Sequence, residues 1–386
     1  MPKAGSVEVR QENQIQILCI GGARPNFMKL APLFRAFSPA PDLEPLLIHT
    51  GQHYDDQMSG QFFRDLELPT PAQNLEAGSG SHAQQTAEIM KRFEPVVLQY
   101  KPHAVLVVGD VNSTTACALV AKKLGIFVIH AEAGLRSFDR SMPEEINRLV
   151  TDAISDLLLV TEESGLKNLE REGVPSEKVC YVGNLMIDSL YFHLERSRNS
   201  RILDSLGLRN QRFGLVTLHR PANVDDTAQL QELLDALQTI ARDVPLYFPA
   251  HPRTLARMNG QAHFPHLHIL QPLSYIDFVC LMAHSAVVFT DSGGVQEETT
   301  ALQIPCLTLR NNTERPVTIT EGSNRLAGTT RESILTAWRD LNAKPQSGRI
   351  PDLWDGKAAE RCVQAIRTAL EAVINRNEAP QILQAR

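Results

Sequence analysis

Short aliphatic and β-branched runs alternate with longer amphipathic stretches along nearly the whole chain. The runs at Ile15–Ile20, Pro45–His49, Ala104–Val108, Phe127–His130, Leu157–Val160 and Lys178–Val182 predict a first series of buried strands. A second series is predicted at Gly214–Leu218, Leu246–Pro249, His268–Leu270, Val287–Thr290 and Cys306–Leu309. Between them, helical periodicity is clearest at His82–Tyr100, Ser113–Leu124, Glu144–Ala153, Thr227–Arg242 and Gly294–Leu302. Such βα alternation implies parallel sheets covered by helices on both faces, an α/β class. The polar segment Arg196–Arg212 separates the two series and places a domain boundary near residues 185 to 212. A last amphipathic helix, Ala358–Ile374, is followed by a polar tail expected to fray.

The strand ends repeat one chemical theme. Apolar runs finish in Gly21-Gly22-Ala23-Arg24, His49-Thr50-Gly51, Gly109-Asp110, His130-Ala131-Glu132, His219-Arg220, Ala250-His251 and Asp291-Ser292. Open parallel sheets bind ligands outside the carboxyl ends of their strands. Two sheets facing a common cleft would gather these groups around one ligand. The sharpest of the ends is Val287 to Glu298, where a strand stops at Thr290-Asp291 and Ser292-Gly293-Gly294 opens a helix carrying acids. Glycines there admit a ligand to the backbone, and the unpaired N–H groups of the helix start favour an anion. A carboxylate such as Glu298 would then reach a sugar hydroxyl, which suits a nucleoside diphosphate. Neither a P-loop nor the dinucleotide pattern G-x-G-x-x-G is present.

Composition narrows the class. A chain of 386 residues is long for one core, and 43% hydrophobic with 21% charged residues is ordinary for a globular protein. A net charge of −6 disfavours nucleic acid and anionic membranes as partners. The six cysteines are scattered among apolar neighbours without C-x-x-C spacing, as expected in a reducing, cytoplasmic setting. The polar amino terminus shows no signal peptide, and no apolar run is long enough to span a membrane. His263, His266 and His268 are dense enough to suggest a metal, but Pro265 breaks any helix there and no acid is close, so no metal is expected.

Three acids of the first half are candidates for proton transfer: Asp110 after the strand ending at Val108, Glu132 after the next strand, and Glu144 in Met-Pro-Glu-Glu-Ile-Asn-Arg. Each also has a structural reading. Asp110 could cap the helix near Ser113, and Glu144 and Glu145 could simply favour a helix start behind Pro143. Together on one rim, beside permissive glycines, they suit general acid–base work. Cations for an anionic ligand are available at Arg24, Lys29, Arg136, His219, Arg220 and Arg315, with prolines stiffening the chain next to Arg24 and Arg315.

In chain order the sequence also reads Ala-Arg-Pro-Asn-Phe-Met-Lys-Leu-Ala-Pro-Leu, Thr-Gly-Gln-His, Gly-Asp-Val-Asn-Ser-Thr-Thr, Glu-Ala-Gly-Leu-Arg-Ser, Pro-Glu-Glu-Ile-Asn-Arg, Thr-Leu-His-Arg, Asp-Ser-Gly-Gly-Val-Gln-Glu-Glu and Thr-Glu-Arg-Pro. From Ile15 to Gly328 this resembles the non-hydrolysing UDP-N-acetylglucosamine 2-epimerases. The resemblance implies the GT-B fold, two Rossmann-like domains facing a central cleft, in a homodimer without a redox cofactor. On this reading residues 1–184 form the first domain, completed by 358–386, and residues 185–357 form the UDP-binding domain. By matching motif, Asp110, Glu132, Glu144 and His219 resemble the catalytic set. Arg24, Lys29, Arg136, His251, Leu273, Phe278, Ser292, Gly293, Gly294, Glu298 and Arg315 resemble the substrate and UDP contacts. Gln52 and His53 match part of a region where some relatives bind a second UDP-GlcNAc as activator. The chain departs from the family's usual Gly-Thr-Arg-Pro-Glu with Gly-Ala-Arg-Pro-Asn, and from His-Arg-Arg-Glu-Asn with His219-Arg220-Pro221-Ala222-Asn223.

The implied reaction interconverts UDP-GlcNAc and UDP-ManNAc. C2 has no neighbouring carbonyl, so its proton becomes removable only as UDP departs from C1, giving a glycal to which UDP re-adds. Rivals are a 2-epimerase of a UDP-diacetamido-glucuronate, a hydrolysing relative that releases ManNAc and UDP, a GT-B glycosyltransferase, and a non-catalytic nucleotide-sugar sensor. The last two have no need of three acids in the first domain.

Overall fold

The computed structural model describes residues 14–51, 63–250, 252–258, 265–344 and 348–375. The chain divides into two compact units, Met1–Leu185 with Ala358–Arg386, and Met186–Lys357.

In the first unit, β1 (Ile15–Gly21), β2 (Leu43–His49), β3 (Gln73–Asn74), β4 (Ala104–Val108), β5 (Phe127–Ala133), β6 (Leu157–Val160) and β7 (Val179–Tyr181) form one sheet in the order β3-β2-β1-β4-β5-β6-β7. Every pairing is parallel. All residues of β1 and β4 are buried, because helices cover both faces and an alternating pattern would leave polar groups inside. The second unit repeats the plan with β8 (Gly214–Thr217), β9 (Leu246–Pro249), β10 (Leu267–Leu270), β11 (Val287–Thr290), β12 (Cys306–Thr308) and β13 (Asn324–Leu326), ordered β10-β9-β8-β11-β12-β13 and again parallel. Each unit is thus Rossmann-like. In both, the direction of winding reverses between neighbouring strands, at β1/β4 and at β8/β11, where a crevice opens at the strand ends.

The Ala358–Asn375 helix returns to the first unit and packs on the Arg24–Phe37 helix. Arg367 clamps Asp42 with two bonds of 2.7 and 2.9 Å, and Arg361 donates to the Val182 carbonyl at 2.6 Å. The second unit is built around Leu233, Leu237, Phe248, Phe289 and Trp338 on one side of its sheet, and Phe213, Val288 and Trp354 on the other.

The strands expected from the apolar pattern all form. β3 and β13 escape it because they are two and three residues long and partly polar. The Leu185–Ser197 helix enters the polar segment expected to divide the domains, and the division by packing falls at its first residue. Five of the six cysteines are buried and all are free thiols. Among the described residues, no helix is long and apolar enough to cross a membrane.

Candidate active site

At the β1/β4 crossover, Gly22 and Ala23 donate through their backbone N–H groups to the Asn26 side chain at 3.2 and 2.9 Å. Asn26 donates in turn to the Val108 carbonyl at 2.8 Å. One buried amide therefore ties the end of β1 to the end of β4. Beyond β4, Gly109 takes a left-handed φ of +70°. A methyl group at Gly109 would sit tightly against Glu132 Oε2, at 3.3 Å, and in ordinary contact with Lys29 Nζ, at 3.5 Å, so it is the left-handed φ more than the space that calls for glycine here.

Glu132 occupies a β-bulge, where the β5–β6 register shifts between Ala131 and Ala133. Its φ of +70° is rare for a residue with a side chain, and its carboxylate is buried against the Lys29 ammonium. The bulge turns the carboxylate out of the strand alternation and toward Gly109. Asp110 does not cap the following helix, which begins at Asn112 with no side-chain cap. Its Oδ2 instead accepts from Arg148 Nε at 3.0 Å and Nη2 at 2.6 Å, leaving the side chain 29% exposed. Asn147 holds the Asp110 carbonyl at 2.9 Å.

The Pro143–Ile154 helix supplies these partners and separates two adjacent acids. Glu145 is buried and accepts from Ser137 N at 2.9 Å, Phe138 N at 2.9 Å and Arg148 Nη1 at 2.6 Å. Burial raises its proton affinity, but those donors outweigh it and hold the carboxyl below its ordinary range. Glu144 is half-buried. It has no hydrogen-bond or ion-pair partner among the described residues. The first unit therefore assembles Asp110, Glu132 and Lys29 around Gly109, while Glu144 opens the helix whose Asn147 and Arg148 hold Asp110.

Arg136 corrects an expectation. Read from sequence as a ligand cation, it is 3% exposed, bidentate to Glu172 at 2.8 and 2.6 Å, and 2.7 Å from Asp152. Its charge is committed inside the protein. Arg24, by contrast, is exposed at the start of its helix.

In the second unit, β11 is followed directly by the fully buried Asp291. This carboxylate accepts from His219 N at 3.1 Å, Arg220 N at 3.0 Å and Asn223 Nδ2 at 3.1 Å, so it ties the loop after β8 to the turn after β11. Burial pushes Asp291 up, yet the His219 ring, 3.1 Å away at Nδ1, and the backbone donors hold it below its usual range. The His219 side chain is 55% exposed on its other side.

Ser292 caps the Gly293–Ala301 helix. A Cβ on Gly293 would come within 2.9 Å of Glu314 Oε1, so a side chain here would have to displace that carboxylate from its arginines. Glu314 is neutralised by Arg220 at 3.1 Å and Arg310 at 2.8 Å; burial opposes its charge, but the surrounding arginines hold its carboxyl far below the carboxylate range. Arg315 is buried, with Nε donating to Glu297 at 2.6 Å. Glu298 is buried and accepts from the Tyr275 hydroxyl. Leu273 and Phe278 are partly buried against the same core. His251, Gln52, His53 and His263 lie outside the described residues. His268 stacks on Tyr247 with ring centroids 4.6 Å apart.

Sequence reasoning missed Arg148, Asn147, Glu314 and Tyr275, and read Asp291 only as one of the strand-end groups. Arg148 sits one helical turn from Glu144, a spacing that could have flagged it. Asp291 directly precedes Ser292, which opens the glycine turn. Glu314 and Tyr275 left no local signal, since their partners are distant in the chain.

These features define a two-unit Rossmann-like α/β protein with acids at one crossover and a glycine-lined helix start at the other. A family model for UDP-N-acetylglucosamine 2-epimerase matches residues 35–367. A UDP-N-acetylglucosamine 2-epimerase of Methanocaldococcus jannaschii is 40% identical over 363 residues, covering 91% of this chain and 99% of the relative. A UDP-2,3-diacetamido-2,3-dideoxy-D-glucuronate 2-epimerase of Pseudomonas aeruginosa is 40% identical over 329 residues, covering 84% of this chain and 92% of the relative. The crystal structure of the M. jannaschii UDP-GlcNAc 2-epimerase with UDP-GlcNAc and UDP superposes with a TM-score of 0.84 at 38% identity, covering 92% of this chain and 99% of that one. The chain belongs to the UDP-N-acetylglucosamine 2-epimerase family.

Proposed function

We propose that the protein interconverts UDP-GlcNAc and UDP-ManNAc by eliminating and re-adding UDP. The observation that carries this reading is Glu132, a buried acid held in a rare backbone conformation beside Lys29 and against Gly109, the residue before Asp110. Strain of that kind persists where geometry serves chemistry.

In the proposed reaction the C1–O bond breaks and its electron pair leaves on UDP. As positive character grows at C1, a carboxylate takes the C2 proton and the C–H pair becomes the C1=C2 bond of a 2-acetamidoglucal. A proton then returns to C2 on the opposite face while UDP re-adds at C1. Asp110, Glu132 and Glu144 are the proposed proton-transfer groups. Arg24 and Lys29 serve the substrate from the first unit. His219 and the Ser292-Gly293-Gly294 turn hold the diphosphate, whose charge grows as the bond breaks, so donors fixed there act most strongly in the transition state. Glu298 is the proposed ribose ligand, with Arg315, Leu273 and Phe278 lining the nucleotide; His251 belongs to the same proposal. Arg136 is withdrawn from the ligand set.

Turnover of UDP-GlcNAc in deuterated water, followed by NMR, tests the reaction. Deuterium at C2 of both epimers is the expected result. Turnover without label at C2 would refute the elimination route, and free ManNAc would mark a hydrolysing enzyme. The Pseudomonas relative's name supports a second reading, a UDP-diacetamido-glucuronate as substrate. Parallel assays with both nucleotide sugars decide between them by kcat/KM. The proposal extends to a cytoplasmic homodimer supplying an N-acetylmannosamine donor for cell-surface polysaccharide; sedimentation of the purified chain tests the dimer.

A further inference from the structure

Two residues before Glu132 on the same strand lies a histidine that no step above uses. His130 is fully buried. Its Nε2 is 2.8 Å from the Gly109 carbonyl oxygen, and since that oxygen and the Asp152 carboxylate can only accept, the ring bonds both neighbours with a hydrogen on each nitrogen. Its Nδ1 faces Asp152 Oδ1 at 2.6 Å. The other Asp152 oxygen accepts from Gly134 N at 3.0 Å and pairs with Arg136 at 2.7 Å, and Arg136 is in turn held by Glu172. The imidazole is gripped at both nitrogens and cannot rotate without losing one partner.

Gly109 is held from both sides by β5. Its N–H donates to the Ala131 carbonyl at 3.0 Å, and its carbonyl accepts from His130. With φ at +70°, its peptide sits where the regular ladder would not place it, so the side-chain donor replaces a missing backbone one. The next residue is Asp110, and the residue two beyond His130 is Glu132. One ring therefore links the backbones carrying two of the acids.

We propose that His130 is a positioning residue whose Nε2–H fixes the Gly109 carbonyl and so holds Asp110 and Glu132 in their working arrangement, with Asp152 fixing the ring. The proposal rests on reading Asp110 and Glu132 as proton-transfer groups. A histidine that served only the core would contribute to stability alone.

The test compares His130→Gln with His130→Asn in the full-length protein. A glutamine amide nitrogen falls near the position of Nε2 and keeps a donor for Gly109. An asparagine amide nitrogen falls near Nδ1 and leaves the Gly109 carbonyl unsatisfied. Misplacing a reacting group by about 1 Å costs on the order of 10²-fold in rate, so His130→Asn should lose kcat on that scale per folded molecule. His130→Gln should retain kcat within about tenfold. UDP affinity by calorimetry should be unchanged in both, and both should melt earlier. Equal loss of kcat in the two variants, or full kcat in His130→Asn, would overturn the proposal. Should His130→Asn not fold, nitrogen-15 NMR of the wild-type imidazoles decides: a protonated Nε2 on His130, protected from solvent exchange, supports the proposal, and an unprotonated one refutes it. Wild-type turnover in both Asp110→Asn and Glu132→Gln would instead overturn the reading of the acids, whatever the His130 variants do.

Discussion

Single side chains carry the reaction proposed here, and their surroundings separate those that do chemistry from those that hold structure. Glu132 is kept in a left-handed conformation that costs about 1–3 kcal/mol, and the β5 bulge and Lys29 hold it there. Glu132→Gln, Asp110→Asn and Glu144→Gln keep shape and remove charge; each should lower kcat by at least on the order of 10²-fold in a steady-state assay while UDP still binds. Near-normal rates in all three would return these acids to structural work. Arg136 belongs to the other category. Arg136→Met leaves Asp152 with one fewer counter-charge in the interior, and breaking a buried pair from one side costs about 3–5 kcal/mol. Thermal melting should show that loss with UDP affinity unchanged; a specific drop in affinity would restore Arg136 to the ligand set.

At the scale of elements, the strand–turn–helix from β11 into Gly293–Ala301 and the loop after β8 behave as one device, because Asp291 binds both. Glu298 projects from that helix. A carboxylate that accepts ribose hydroxyls makes charge-assisted bonds, so Glu298→Ala should weaken UDP binding by roughly 1.5–3 kcal/mol in calorimetry. His219→Ala should chiefly lower kcat, because its interaction strengthens as the diphosphate leaves. Unchanged UDP affinity in the Glu298 variant would misplace the nucleotide altogether. A Cβ at Gly293 would displace the Glu314 carboxylate, which lies in the space it would need.

Over the whole molecule, buried carboxylates recur in both units. Asp152 and Glu145 in the first, and Asp291 and Glu314 in the second, are all held below their ordinary range by hydrogen-bond donors and cations that outweigh burial. A group whose folded pKa is depressed stabilises the fold fully above its unfolded value, about 4 for carboxyls, and loses that contribution as pH falls through the folded value. The melting temperature should therefore vary little with these groups from about pH 8 to 5 and drop below about pH 4. A melting temperature that holds steady well below pH 4 would contradict these assignments.

Strand positions, the two βα series and the family were legible in the chain because they rest on local pattern and contiguous motifs: a buried parallel strand must be apolar throughout, and a turn such as Asp291-Ser292-Gly293-Gly294 declares itself by residue type. The ligand cations were only half legible, since sequence gives an arginine's charge but not its partner. Arg136 and Arg315 look alike as residues beside motif strings, and both turn out to be engaged with buried carboxylates. Long-range pairing was invisible for the same reason. Nothing near Asp110 announces Arg148, and nothing near Gly109 announces His130. Periodicity and motif thus determined which strands form and which acids end them. Tertiary structure alone decided which charges cancel inside, because burial and partner distance arise only when segments remote in sequence share one low-dielectric interior.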